Sequence, residues 1–251
     1  MSPSWLFSRP AAASVRWLIA SRSHPGNVRS SNEDALLVRE DYPLLAIADG
    51  MGGHRAGDVA SQLIVGKLAR LDMATSLKAA RRQVEQSLLD SNEAIVDYSD
   101  RSLAGATAGS TAIVLLTRAG RGVCLWVGDS RLYRIRGGII EAMTRDHSYV
   151  ADLVSQGLLN AADAASHPAS NVITRAVGAN KTLEVDSVRF DIARGDTYLL
   201  CSDGLYNECE AAEMLDIASR RDVENSSARL LDLCLSRGAR DNVSLIIARA
   251  L

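Results

Sequence analysis

A carboxylate placed at the end of a buried apolar run constrains this chain more than any other feature. From Pro43 the sequence reads PLLAIADGMGGHRAGDVAS. Leu44-Leu45-Ala46-Ile47-Ala48 is too short for a helix and is bounded by punctuation, which predicts a buried strand. Asp49 closes the run. Gly50, Gly52 and Gly53 follow, and glycine lets backbone approach a ligand closely. Beyond Gly57 the apolar positions Val59, Ala60, Leu63, Ile64 and Leu68 recur at helical spacing. The unit is strand, acid, glycine-rich turn, helix. Alone, it is compatible with an ordinary tight turn.

It has company. Val123-Cys124-Leu125-Trp126-Val127 runs into Gly128-Asp129-Ser130, Thr197-Tyr198-Leu199-Leu200-Cys201 runs into Ser202-Asp203-Gly204, and Asp241 opens the run 242–248. Acids at the ends of buried strands can be gathered on one edge of a sheet. Two carboxylates ~4 Å apart repel by roughly 4 kcal/mol at an effective dielectric near 20. Such a cluster persists only with raised pKa values or bound cations. An all-oxygen donor set selects hard ions, magnesium or manganese, over zinc.

The rest of the chain narrows the class. Its 251 residues, 47% of them hydrophobic, suffice for a large core, and the interior holds no Pro/Ser/Gly linker. Residues 1–13 lack periodicity and read as a loosely ordered N-terminal tail, in which Trp5 and Phe7 stand out, ahead of a single domain at 14–251. A net charge of −2 without a concentrated basic patch argues against nucleic-acid or membrane surfaces as partners. Four cysteines without C-x-x-C spacing form neither a zinc site nor a disulfide framework. No run approaches the ~18 apolar residues of a membrane span. The expectation is a cytoplasmic protein.

In order, the pattern predicts strands at 15–21 and 35–38, joined by a polar turn carrying Arg29, Glu33 and Asp34. Helices follow over 57–71 and 76–98, then a loop at 100–109. Strands are expected at 110–117, 122–127, 131–136 and 139–143, with hairpin turns at 118–121 and at Gly137-Gly138. A helix capped by Asp146-His147-Ser148 runs to about Gly157. The small, polar stretch 158–171 reads as an insertion. Strands at 185–191 and 197–201, helices at 211–220 and 223–236, and a strand at 243–249 complete the chain. Hairpins beside two pairs of helices indicate an α+β sandwich of layers, without the strict alternation of a doubly wound fold.

The strings Arg29-x-x-Asn32-Glu33-Asp34, Ala48-Asp49-Gly50-Met51-Gly52-Gly53-His54, Gly109-Ser110-Thr111-Ala112, Val127-Gly128-Asp129-Ser130-Arg131 and Asp146-His147-Ser148 share one likeness. So do Ile173-Thr174-Arg175-Ala176-Val177-Gly178, Cys201-Ser202-Asp203-Gly204-Leu205 and Asp241-Asn242-Val243-Ser244. Together, in this order, they resemble the bacterial branch of the metal-dependent serine/threonine protein phosphatases of the 2C type, across about residues 24–249. The resemblance implies a four-layer α-β-β-α sandwich, two central antiparallel sheets flanked by helix pairs, with two or three Mn2+ or Mg2+ ions at one end. It implies that Asp49 bridges two metals, that Gly50 offers its backbone carbonyl, that Asp203 and Asp241 are ligands, and that Asp129 joins Asp203 at a third site. Glu33 and Asp34 would orient metal-bound waters, and Arg29 would clamp the phosphate. Residues 147–172 correspond to a flap that meets the protein substrate.

The implied reaction is hydrolysis of phosphoserine and phosphothreonine by direct attack of a metal-bridging hydroxide, reversing a serine/threonine kinase. One departure stands out. Eukaryotic-type members carry a histidine directly after Asp-Gly, where this chain has Met51, so His54 becomes the nearest candidate for general acid. The implied partners are phosphorylated proteins and a cognate kinase, in a setting such as type VI secretion, with the enzyme a monomer. A non-catalytic phosphoprotein sensor of the same fold and a phosphatase of a small metabolite remain alternatives, because core motifs shape the chemistry and not the substrate.

Overall fold

Strand β3 (Leu44–Met51) lacks polar alternation because both of its faces are covered. The computed structural model describes residues 15–40, 43–52, 56–104 and 106–251. In it Leu44, Ala46 and Ala48 pack against helices α1 (Ala56–Ala69) and α2 (Leu77–Ser102). Leu45 and Ile47, one residue out of phase, enter a second core shared with another sheet. Burying each such side chain stabilises the fold by about 1.5–3 kcal/mol, so the alternation fixes which way β3 faces.

Two antiparallel sheets form the centre. One has the order β2 (Asp34–Arg39), β3, β5 (Ala112–Arg118), β6 (Arg121–Val127), β9 (Asp186–Asp191), with the short β4 (Gly109–Ser110) paired to β3. The other has the order β1 (Trp17–His24), β11 (Val243–Ala250), β10 (Thr197–Cys201), β7 (Arg131–Arg136), β8 (Ile139–Ala142). Leu132, Tyr198, Leu200 and Ile246 meet Leu45, Ile47, Ile113 and Trp126 between the sheets. On the outer face of the second sheet, Leu199, Cys201, Leu245 and Ile247 pack with the short α4 (Asp203–Tyr206), α5 (Ala211–Ala218) and α6 (Val223–Ser236). The result is the expected α-β-β-α order, with three cores between four layers.

The predicted strands 131–136 and 197–201 and the helix 223–236 have these bounds in the structure. Others moved. The expected loop at 100–109 begins later, because α2 runs to Ser102, held by the Arg101–Asp97 pair one turn apart at 3.1 Å. β1 sits further along than predicted, because it pairs with β11 through His24 opposite Val243 and the polar Ser23 bonds Ser244 at 2.9 Å. β3 continues through Asp49 and Gly50 to Met51, since Gly50 and Met51 pair with Ser110 and Gly109. Asp203 opens a helical turn, α4, that periodicity over so few residues does not reveal. The segment 147–172 carries α3 (Tyr149–Ser155), capped by Ser148, and a 3-10 turn at Ala161–Ser166.

Candidate active site

The alternation that builds the central core also builds the site. On β2, Leu36 and Val38 point between the sheets, and Asp34 lies on the same face. On β3, Asp49 follows Leu45 and Ile47 in the same phase, directly opposite Asp34 in the antiparallel register. Ser202 follows Tyr198 and Leu200, and Ser244 precedes Ile246. The polar floor is therefore the end of the layer between the sheets, where apolar side chains give way to carboxylates and hydroxyls.

Above that floor lies a cleft of about 770 Å³ whose lining includes Arg29, Glu33, Asp49, Asp129, Asp203 and Asp241. Gly50 lines it too. Six of the predicted site residues and the predicted backbone carbonyl donor thus meet in one place, with Asp34 buried beneath. His54 lies outside the described residues, as do Trp5 and Phe7.

Burial and mutual repulsion dominate the electrostatics. Burial raises Asp49 well above the usual carboxylate range, and the charges of Asp34, Asp203, Asp129 and Asp241 push the same way. Burial, then Asp129 and Asp241, carry Asp203 to about 7. Asp129 rises to about 6 through burial and the nearby Asp146. Asp34 also rises to about 6, chiefly by burial, against a hydrogen bond from Ser202 Oγ to its Oδ2 at 3.1 Å. Its Oδ1 is buried and has no hydrogen-bond partner among the described residues.

These observations fit a divalent cation. A hard positive charge relieves clustered carboxylates, and the donors present are oxygens. Among the described residues, no three His, Cys, Asp or Glu side chains gather as a cage for one ion.

Supporting residues hold the acids in place. Thr111 Oγ1 accepts from the Asp49 amide at 3.1 Å and bonds Ser130 Oγ at 2.8 Å, while Thr111 N donates to Asp49 O at 2.8 Å. Asn242 accepts from the Glu33 amide at 2.8 Å and donates to Pro25 O and Ser31 O at 3.0 and 2.9 Å, fixing the turn that carries Arg29. Tyr206 donates to the Asp129 carbonyl at 3.1 Å. Gly50 is obligatory, because a Cβ there would stand 2.2 Å from the Gly57 carbonyl oxygen. Arg29 sits at the rim and donates to Asp241 Oδ2 at 2.8 Å. Thr111, Ser202 and Asn242 carried no role in the sequence reading; the one available signal was a polar residue at the mouth of an apolar run.

His147 ties the segment 147–172 to the turn that carries Asp129. Its Nδ1 accepts from the Gly128 amide at 3.0 Å, its own amide donates to Gly128 O, and its ring stacks on Trp126. Burial lowers its pKa, so the neutral ring is the favoured form.

An antiparallel double sandwich with acids converging at one end of its central layer defines a hydrolase of the metal-dependent phosphatase class. The chain matches the family described as protein phosphatase 2C over residues 23–244, and it belongs to that family. It is 33% identical over 234 residues to the serine/threonine phosphatase stp of Listeria monocytogenes, covering 90% of this chain and 93% of that one. Among solved structures, it resembles PppA, a key regulatory component of T6SS in Pseudomonas aeruginosa (41% identity, TM-score 0.88, 95% of this chain and 100% of that one). It also resembles the catalytic domain of the serine/threonine phosphatase PstP in complex with two manganese ions (33% identity, TM-score 0.84, 95% and 99% covered). The chain is a metal-dependent serine/threonine protein phosphatase acting on phosphoproteins. Among the described residues, no helix is long and apolar enough to cross a membrane.

Proposed function

We propose that Asp49, Asp203, Asp241 and the Gly50 carbonyl hold two Mn2+ or Mg2+ ions, that Asp129 with Asp203 holds a third, and that residues 14–251 form one catalytic domain. The observation that carries this is the convergence, at one cleft floor, of acids from five separate strand ends, three of them with pKa values raised to about 6 or 7. Divalent ions bound there neutralise phosphoryl charge and make water a better nucleophile near neutral pH.

The chain's own residues supply the rest. Arg29 exchanges its Asp241 contact for phosphoryl oxygens, which its planar fork can grip through two parallel hydrogen bonds. Glu33 and Asp34 orient water through their carboxylate oxygens. His54 or a solvent molecule protonates the departing serine or threonine oxygen. The flap, 147–172, borders the cleft through Asn171 and meets the protein substrate.

The partners are phosphorylated proteins and a serine/threonine kinase whose marks this enzyme removes, working as a monomer in the cytoplasm. The likeness to PppA supports a role in regulating type VI secretion. Incubation with manganese and phosphopeptides bearing Ser, Thr or Tyr tests the reading. Release of phosphate from Ser and Thr, lost by orders of magnitude in a folded Asp49→Ala variant, is expected. Near-normal turnover in that variant, or a strong preference for phosphotyrosine, refutes it.

A further inference from the structure

A second chamber of about 720 Å³ opens beside the catalytic cleft and shares Asp129, Asn171, Asp203 and Asp241 with it. The volume falls within the range of side-chain and small-ligand pockets. One wall is the flap, where Ala161, Ala164 and Ala165 offer space and Ser170 and Asn171 offer polar but uncharged side chains. Recognition of a charge must therefore come from the opposite wall, which holds three arginines.

Two of these are committed. Arg131 is clamped to Asp146 by bonds of 2.7 to 3.2 Å and lies over the Tyr206 ring at 3.5 Å. Arg237 grips Glu213 through two bonds of 2.6 and 2.7 Å and donates to Glu208 O. Arg240 differs. Exposed, one residue before Asp241, it has no hydrogen-bond or ion-pair partner among the described residues. A guanidinium is always charged and fits carboxylate or phosphoryl oxygens in a planar fork. Five acids also line the chamber: Asp146 is held by Arg131, Asp129, Asp203 and Asp241 belong to the proposed metal site, and Glu208 forms no ion pair with Arg240 among the described residues.

We propose that this chamber receives an anionic side chain flanking the phosphorylated residue, and that Arg240 is the group that selects for it. The proposal rests on the phosphatase reading above and names its substrate class: phosphoproteins with a carboxylate or a second phosphoryl group near the target residue. An extended peptide advances about 3.3 Å per residue, so the phosphoresidue in the cleft carries its neighbours into the adjoining chamber. A small aryl phosphate has no such neighbours and does not reach it.

The test compares kcat/KM of the wild type, Arg240→Ala and Arg240→Glu in manganese at low salt. The substrates are phosphothreonine peptides that differ by one Glu, phosphoserine or Lys moved across the positions on each side, together with an aryl phosphate. At one position the wild type should favour Glu or phosphoserine over Lys by about fivefold, the scale of one exposed ion pair. Arg240→Ala should erase that ratio, and Arg240→Glu should invert it, with aryl phosphate turnover unchanged in both. A stronger effect from phosphoserine than from Glu identifies a second phosphoryl group as the preferred anion; equal effects identify a carboxylate. A ratio that survives Arg240→Glu, or no charge preference at any position in the wild type, overturns the proposal. Absence of phosphate release from every substrate, the aryl phosphate included, strikes the phosphatase reading instead.

Discussion

Asp203→Asn should make the metal-free protein more stable while removing its response to metal. Asp203 titrates near 7 in the folded chain, against 3.8 for an ordinary aspartate, because burial and the charges of Asp129 and Asp241 disfavour its ionised form. The sign follows from that direction. A carboxyl whose pKa is raised on folding stabilises fully below the unfolded value, and loses that contribution as pH rises through the folded one. The difference, 7 − 3.8, is about 3 units, and at 1.36 kcal/mol per unit it gives a ceiling of about 4 kcal/mol above pH 7. Partial access to water in the cleft reduces this to about 1–2 kcal/mol. For a chain of this size that is about 3–6 °C in Tm. At pH 5, between the two values, the folded carboxyl is still protonated and the gap should be under half as large. The assay is thermal unfolding of both proteins in chelator and in manganese, at pH 5 and pH 8. Wild type should gain strongly from manganese at pH 8 and the variant little. A metal-free variant less stable than wild type at pH 8, or a gap independent of pH, refutes the reasoning.

Three further outcomes are expected. Arg29→Ala should raise KM for a phosphorylated substrate about tenfold or more, the scale of a lost charge-assisted hydrogen bond, with a smaller effect on kcat; steady-state kinetics decide it. Asn242→Ala leaves the Glu33 amide and the Pro25 and Ser31 carbonyls without their partner. It should lower Tm by about 5–10 °C and raise KM as the Arg29 turn loosens, seen by calorimetry and kinetics together. Gly204→Ala would place a Cβ 2.1 Å from the Asn242 carbonyl oxygen. A loss of about 3 kcal/mol or more should appear in denaturant titration, whereas Gly66→Ala, with open space around it, should cost nothing measurable.

Much of the architecture was legible in the sequence, for identifiable reasons. β7 and β10 have the predicted bounds because glycine and acid punctuation stops each one locally. Helix α6 begins at Val223 because Asp222 accepts from the Asn225 amide as its cap. Strand order was not legible. β1 pairs with β11 from the far end of the chain, and no local pattern encodes a partner that distant. The acids were found because each interrupts an apolar run. The groups that hold them were harder to see: Thr111 and Ser202 look like ordinary strand-end residues until the register sets one behind Asp49 and the other beside Asp34. Asp34 itself read as a turn acid, yet its burial opposite Asp49 comes from the β2–β3 register.

The five acids are divided between the two sheets. Asp34 and Asp49 belong to the β2–β9 sheet, Asp203 and Asp241 flank β10 and β11 of the other, and Asp129 lies on the link from β6 of the first to β7 of the second. A cation seated among them is therefore a rivet through two stacked plates. Slippage of one plate over the other by an ångström would pull the reactive floor apart without disturbing any single strand, so catalytic competence reports on how well the halves of the molecule are aligned.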